Sequence, residues 1–194
     1  MLILASASPR RQELLRNAGI LFTVQPANIN ETPLAGESPR DCAERLAREK
    51  ALVVFQSNPQ QCVLGADTIV VVDDMILGKP RDAEDAARML RLLSGRTHAV
   101  ITGVCVVGPV ASGQWSVASK TEVASETTLV TFCGLSDQEI RDYIATGEPM
   151  DKAGAYAIQG VASRWIPRIE GDYSNVVGLP VALVYRMLRE RGAV

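Results

Sequence analysis

The sequence predicts an α/β fold in which helices flank a mixed, twisted sheet and two lobes surround a central groove. Two observations carry this prediction. Short apolar runs alternate with amphipathic helical segments over the first half of the chain, a pattern typical of α/β proteins. The middle then holds two long runs rich in β-branched residues, which indicates β-ribbons added to the sheet. No repeat, low-complexity tract or linker divides the sequence, so we expect residues 1–194 to form a single domain.

The first third predicts strand, helix, strand and helix. A short buried strand over residues 2–5 precedes Ser8-Pro9, which begins a helix because serine caps it and proline suits its first position. Gly19 ends this helix. The run "LFTVQPA" predicts a second strand, and another Ser-Pro pair at 38–39 begins the second helix.

Later elements carry equally local signals. Residues 62–80 predict a long strand, a turn at Asp73-Asp74 and a short return strand, and Asp82 begins another helix. The two β-rich runs are joined by "PVASG", which predicts a turn. Ser136 opens a capping box and therefore a further helix. A segment rich in glycine and proline then leads to a final helix.

Composition excludes several classes of protein. A hydrophobic share of 47% indicates a globular chain, and a net charge of −2 with 5% aromatic residues argues against a nucleic-acid-binding surface. Any polyanion that binds must therefore be small and held by a local cluster. The start of the chain has no basic region before its apolar run, and no window is long enough to span a membrane. We expect a cytoplasmic protein with no membrane partner.

Cysteine and histidine are poor candidates for chemistry here. The four cysteines form no CxxC pair, so we interpret them as reduced thiols that mostly fill the core. The single histidine, His98, cannot build a zinc site alone, and its place at the start of a strand favours a structural role. Catalysis would then depend on carboxylates, lysines and a metal held by oxygen ligands.

Several short stretches fit a phosphate group, although P-loop and GxGxxG motifs are missing. Ser8, Arg10 and Arg11 place free backbone N–H groups, a helix dipole and two guanidiniums at one helix start. The alternative is a solvated basic turn. Lys79 lies just before the helix that Asp82 begins, where a cation opposes the helix dipole and indicates a compensating anion.

Two further lysines are candidate ligands. Lys50 lies at the polar edge of the second helix, and Lys152 stands close to Gly154, whose lack of a side chain permits close backbone approach. Taken singly, either lysine could be an ordinary surface residue.

Asp67 is the most unusual residue in the sequence. It is a carboxylate inside the apolar strand "LGADTIVVV", where a charge is costly unless a metal or a cation pairs with it. The alternative is that the strand ends there and Asp67 caps a loop.

Three further polar residues are candidates. Thr68 offers a hydroxyl to the same space as Asp67, and Glu31 lies in a polar loop where a carboxylate is usually solvated. Gln159 in "AGAYAIQG" carries a donor and an acceptor side by side, which match the edge of a uracil or thymine ring but equally that of guanine.

Taken together, the ordered motifs resemble the Maf family of nucleoside triphosphate pyrophosphatases, relatives of the inosine-triphosphate pyrophosphatase fold. The resemblance covers nearly the whole chain, and its motifs are "LASASPRRQELL", "LAREKA", "GADTIV", "GKPRDAEDAARMLRLLSGRTHAVITGV", "GEPMDKAGAYAIQG" and "GDYSNVVGLP". One departure is Asn30, which stands where the family often has a second acid before Glu31.

The resemblance implies roles for individual residues. It implies that Asp67 is the proton acceptor and that Arg10, Thr68 and Gln159 define the substrate. Other implied or candidate positions around the phosphates and a metal are Ser8, Arg11, Lys50, Lys79 and Lys152 for substrate, and Glu31 with Asp67 for a divalent cation, Mg²⁺ or Mn²⁺. A homodimer is compatible with the family.

The AGAYAIQG form resembles the subgroup that hydrolyses dTTP and UTP to the monophosphate and pyrophosphate, in a house-cleaning role. Two alternatives stay open. One is the same chemistry on 7-methyl-GTP or on modified pyrimidine nucleotides. The other is a nucleotide-binding regulator of cell division or septum formation with little turnover.

Overall fold

The computed structural model describes residues 1–112 and 116–194, and the described part has a mixed seven-stranded sheet. The strands are β1 (Leu2–Leu4), β2 (Phe22–Val24), β3 (Cys62–Val72), β4 (Met75–Leu77), β5 (Thr97–Ser112), β6 (Ser116–Thr131) and β7 (Arg168–Glu170). Their order is β2-β1-β3-β5-β6-β7, with β4 paired to β3. The pairs β1–β2 and β1–β3 are parallel and the others antiparallel.

Six α-helices flank this sheet in the described ranges. They are α1 (Pro9–Asn17), α2 (Pro39–Ser57), α3 (Ala83–Leu93), α4 (Asp137–Ala145), α5 (Tyr173–Val177) and α6 (Val181–Arg189). Ser8, Ser38, Asp82 and Ser136 each cap the helix that follows by accepting a hydrogen bond from a backbone N–H three residues on. The predicted α/β class and these helix starts are confirmed.

Side chains alternate in direction along β1, so this part of the core lies on both faces of the sheet. Leu2 and Leu4 pack on the face covered by α1 and α6, whereas Ile3 packs on the face covered by α2. A second core lies at the far ends of β3 and β5, beneath α3 and α4. The two cores correspond to the two predicted lobes.

Helix α2 lies unusually close to β3 and β5. A Cβ atom built on Gly65 would stand 2.2 Å from the Ala47 carbonyl oxygen, and one built on Gly103 would stand 2.2 Å from the Ala43 carbonyl oxygen. Only glycine permits this approach of backbone to backbone. The close packing brings the buried face of α2, including Lys50, against the middle of the sheet.

Two predicted boundaries are wrong. The second strand covers only Phe22–Val24 rather than all of "LFTVQPA". The turn predicted at "PVASG" is not at residues 109–112, because the ladder between β5 and β6 continues to the pair Ser112–Ser116. Gly113, the last residue of that stretch, lies outside the described residues. Continued pairing with a neighbouring strand outweighs a weak local turn signal.

The cysteines and the histidine behave largely as expected. The four cysteines are free thiols; Cys42 and Cys105 are buried, Cys62 is half-buried and Cys133 is exposed. His98 is packed in the core, so its structural role is confirmed. No helix within residues 1–112 or 116–194 has both the length and the apolar character needed to cross a membrane.

Candidate active site

One cavity of about 610 Å³ is lined by all the residues selected from the sequence as site candidates. It opens between the two cores. Its walls come from the residues that follow β1, from α1, the loop after β2, α2 and β3, from the segment before β7, and from the end of α5. The candidates on its walls are Ser8, Arg10, Arg11, Glu31, Lys50, Asp67, Thr68, Lys79, Lys152 and Gln159. Ser8 and Gln159, which are 151 positions apart in the chain, therefore line the same cavity.

Asp67 lies in the middle of β3, opposite Gly103 of β5, and is only 8% exposed. The alternative in which the strand ends at Asp67 is therefore wrong. Its Oδ1 accepts a hydrogen bond of 2.6 Å from Lys50 Nζ. The cation that the sequence required for a buried carboxylate is this lysine.

Lys50 is buried rather than placed at an exposed polar edge of its helix, which corrects the prediction. Close packing of α2 on the sheet turns this position inward, and two carboxylates compensate its charge. Besides Asp67, Glu31 Oε1 lies 2.5 Å from the same Nζ. A single nitrogen atom, Lys50 Nζ, thus contacts both carboxylates.

The loop residue Glu31 is half exposed and lies beside three cationic side chains of the site. Its burial would raise the pKa, but the hydrogen bond and charge of Lys50 outweigh burial, and Lys79 and Arg11 act in the same direction. The pKa of Glu31 therefore lies below its ordinary value of 4.5. Lys79 itself is exposed, so it faces solvent at the rim of the cavity.

The two arginines at the start of α1 lie in different environments. Arg10 is partly exposed and its Nη1 lies 3.6 Å from Asp151 Oδ2. Arg11 is buried, and its guanidinium donates to Ser6, Thr68 and the Gly178 carbonyl. The alternative of a solvated basic turn is therefore wrong for Arg11, whose side chain is buried and lines the cavity.

Lys152 and Gln159 also line the cavity. Lys152 Nζ donates to the Glu148 carbonyl at 2.6 Å and to Asp151 Oδ1 at 2.5 Å. Burial raises the pKa of Asp151, but Lys152 and Arg10 outweigh it and leave the pKa below its ordinary value. Gln159 is exposed at the mouth of the cavity.

Sequence reasoning missed two contributors to the site. Asp151 joins Arg10 to Lys152, and its only signal was its place beside Lys152 in "MDKAGAY". Gly178 supplies a carbonyl acceptor to Arg11, and it lies in "GDYSNVVGLP", a motif to which no role had been assigned. A backbone carbonyl carries no residue-type signal, so the sequence could not have identified it.

Glu31 and Asp67 could hold a divalent cation. Their oxygens meet one ammonium nitrogen, and oxygen donors are the ligands that Mg²⁺ and Mn²⁺ prefer. Within the described residues no group of three or more histidine, cysteine or acidic side chains is arranged so that it could hold a metal ion. Two carboxylates suit a cation that completes its shell with water and substrate phosphates.

Comparison of the whole sequence with known proteins identifies its family. The model of the family described as "Maf-like protein" matches residues 1–191. The chain belongs to the Maf-like family. A relative in Koribacter versatilis (strain Ellin345), named dTTP/UTP pyrophosphatase, is 59% identical over 98% of this chain and 94% of its own.

A second relative of this Maf-like protein, in Geobacter sp. (strain M21), carries the same name and is 52% identical over 99% of this chain and 96% of its own. A solved structure of a nucleoside-triphosphatase / dITP/XTP pyrophosphatase from Mycobacterium abscessus aligns with 97% of this chain and 96% of its own, at 15% identity and a TM-score of 0.45. The family assignment does not depend on this weak structural similarity.

Proposed function

We propose that this protein is a nucleoside triphosphate pyrophosphatase that hydrolyses dTTP and UTP to the monophosphate and pyrophosphate. The observation that carries the proposal is Asp67, a nearly buried carboxylate that faces a cavity ringed by cationic side chains. A carboxylate among phosphate-binding cations weakens anion binding unless a reaction or a metal uses it. The names of the two relatives support the choice of dTTP and UTP.

Asp67 is the proposed general base. It takes a proton from the water that attacks the α-phosphorus, while the bond from that phosphorus to the bridging oxygen of the leaving pyrophosphate breaks. Arg10, Lys79 and Lys152 lie on the cavity walls and neutralise the negative charge that develops on the phosphates. Gln159, at the mouth, pairs with the pyrimidine edge.

Glu31 and Asp67 are the proposed holders of Mg²⁺ or Mn²⁺, which would supply Lewis-acid stabilisation of phosphate oxygens when bound. Lys50 keeps these two carboxylates side by side in the free protein. The cavity takes residues from Ala5 to Gly178, which supports a single catalytic domain over residues 1–194.

The test is a nucleotide panel. Pyrophosphate release is measured from dTTP, UTP and 7-methyl-GTP with Mg²⁺ or Mn²⁺, for the wild type and Asp67→Asn. We expect release from dTTP and UTP, and a loss of about a hundredfold or more in Asp67→Asn, the scale of a general base. Glu13→Gln, an exposed carboxylate on α1, is the control and should keep full activity.

Three outcomes would contradict the proposal in different ways. Full activity of folded Asp67→Asn would remove the base assignment. A preference for 7-methyl-GTP would make the pyrimidine assignment wrong. Tight binding of dTTP without consumption would favour the nucleotide-binding regulator.

A further inference from the structure

The guanidinium of Arg11 is held from three directions by the protein itself. Nε donates to the Gly178 carbonyl at 2.8 Å, Nη1 to Ser6 Oγ at 3.1 Å and Nη2 to Thr68 Oγ1 at 3.0 Å. These acceptors follow β1, follow α5 and lie within β3, so three separate segments fix one planar group. Arg11 is 9% exposed and lines the cavity.

Two N–H groups of Arg11 have no acceptor among the described residues. A guanidinium has five N–H groups, and three of them donate to acceptors among the described residues. A fork held in this way can bind an oxyanion in a fixed orientation without losing much side-chain freedom.

The direction of the hydrogen bonds decides what Thr68 can do. Arginine only donates, so Thr68 Oγ1 accepts from Arg11. The proton of Thr68 then goes to Thr102 Oγ1 at 3.0 Å or to the Gly178 carbonyl at 3.2 Å. Thr102 in turn donates to the Asn175 carbonyl at 3.2 Å. In each arrangement a protein atom takes the single hydroxyl proton of Thr68.

We propose that Thr68 is a positioning residue that acts on the substrate through Arg11, and that it donates no hydrogen bond to the nucleotide. Arg11 is the group that contacts the substrate, through an oxygen of the triphosphate. The segment "GDYSNVVGLP" supplies the two carbonyls, of Asn175 and Gly178, that complete the hydrogen-bond chain. This inference rests on the proposed function for the class of ligand.

The test is a double-mutant cycle between Thr68→Val and Arg11→Lys, read by calorimetry with α,β-methylene-dUTP and Mg²⁺. We expect Thr68→Val alone to weaken binding of this probe about tenfold, the scale of one charge-assisted hydrogen bond. In the Arg11→Lys background the same change should have almost no further effect, because the oriented fork is already lost. Thr68→Ser keeps the hydroxyl and should bind within about twofold of the wild type.

Thr128→Val is the control for a buried hydroxyl. Thr128 is fully buried, like Thr102, but its partners are Asp172 and the Asn175 side chain. The Thr128→Val variant should lose stability without losing affinity for the probe.

Two outcomes would overturn the inference. Equal losses from Thr68→Val in both backgrounds would make Thr68 a direct ligand. Weakened binding by Thr128→Val would show that the loss of any buried hydroxyl loosens the site. A wild type that binds the probe but hydrolyses neither dTTP nor UTP overturns only the proposed function, whereas failure to bind the probe overturns both.

Discussion

Lys50 is the residue on which the candidate site depends most directly. It is 7% exposed, and its ammonium group contacts Asp67 at 2.6 Å and Glu31 at 2.5 Å. Asp67 is buried and Glu31 is half exposed. Two carboxylates this close repel each other, and the positive charge of the lysine between them compensates that repulsion. The arrangement keeps a general base and a candidate metal ligand adjacent before any ligand arrives.

Replacing this lysine should therefore destabilise the protein. We expect Lys50→Met to lower the free energy of unfolding by about 3 kcal/mol, because removing one partner of a buried ion pair leaves the other charge uncompensated. Urea denaturation checks this value. The exposed Lys79 lines the same cavity, and Lys79→Met should cost less than about 0.5 kcal/mol.

The double variant Lys50→Met/Asp67→Asn separates charge from packing. Asparagine carries no charge, so the second change should recover part of the stability lost in Lys50→Met. If the loss in the double variant equalled the sum of the losses in the two single variants, the ion pair would contribute nothing beyond the volume of the side chains.

At the scale of elements, the position of α2 on β3 and β5 determines whether Lys50 can reach Asp67. The contact is made of small residues: glycines at 65 and 103 on the strands, and alanines at 43, 47 and 51 on the helix. A larger residue at either glycine would meet helix backbone, which cannot turn aside as a side chain can. The helix as a whole would have to move.

Gly103→Ala is the corresponding prediction. The new Cβ would lie 2.2 Å from the Ala43 carbonyl oxygen and 2.6 Å from the Glu44 backbone nitrogen. We expect a loss of at least about 2 kcal/mol in the free energy of unfolding, the scale of overpacking, together with reduced pyrophosphate release because Lys50 is displaced. Gly134→Ala is the matched control, since a Cβ there meets nothing within 4 Å. Equal stability of the two variants would show that α2 has room to shift.

Local and distant interactions explain which features were predictable. Helix starts at Ser8, Ser38 and Ser136 followed from residues a few positions apart, and the structure confirms each cap. The burial of Lys50 and Arg11 did not follow, because their partners come from strands and loops distant in the sequence. The ordered motifs were enough to predict that the site residues share one cavity. Which of the cationic side chains on α1 and α2 face inward depends on how these helices pack, and the motifs do not contain that information.

The pH dependence of stability is a property of the whole molecule, and one histidine controls part of it. His98 is the single histidine of the chain and is 2% exposed. Its ring packs edge-on against Phe132 and Tyr156, with centroids 5.2 and 5.4 Å away, and Nε2 lies 2.8 Å from the Tyr156 hydroxyl. Burial lowers the pKa of His98 from 6.5 to about 4.

The direction of the effect follows from this lowered pKa. As the pH falls below 6.5, the unfolded chain binds a proton at His98 that the folded protein does not bind until the pH nears about 4. Stability is therefore full above 6.5 and falls between these two values. By about pH 5 the loss amounts to about 2 kcal/mol. Urea denaturation at about pH 7 and about pH 5 measures it, and the midpoint of the folded imidazole can be followed by NMR.

His98→Gln removes the titration while keeping a hydrogen-bonding group near Tyr156, so its stability should change much less between those two pH values. Phe132→Leu perturbs the same cluster without touching the histidine, and it should lower stability at both pH values while retaining the wild-type difference. Carboxylates contribute less between about pH 7 and about pH 5, because their unfolded-state pKa values, about 4, lie below this range. If His98→Gln kept the wild-type difference, the acid sensitivity would have to arise elsewhere, and an imidazole midpoint near 6.5 in the folded protein would show that burial does not exclude the proton.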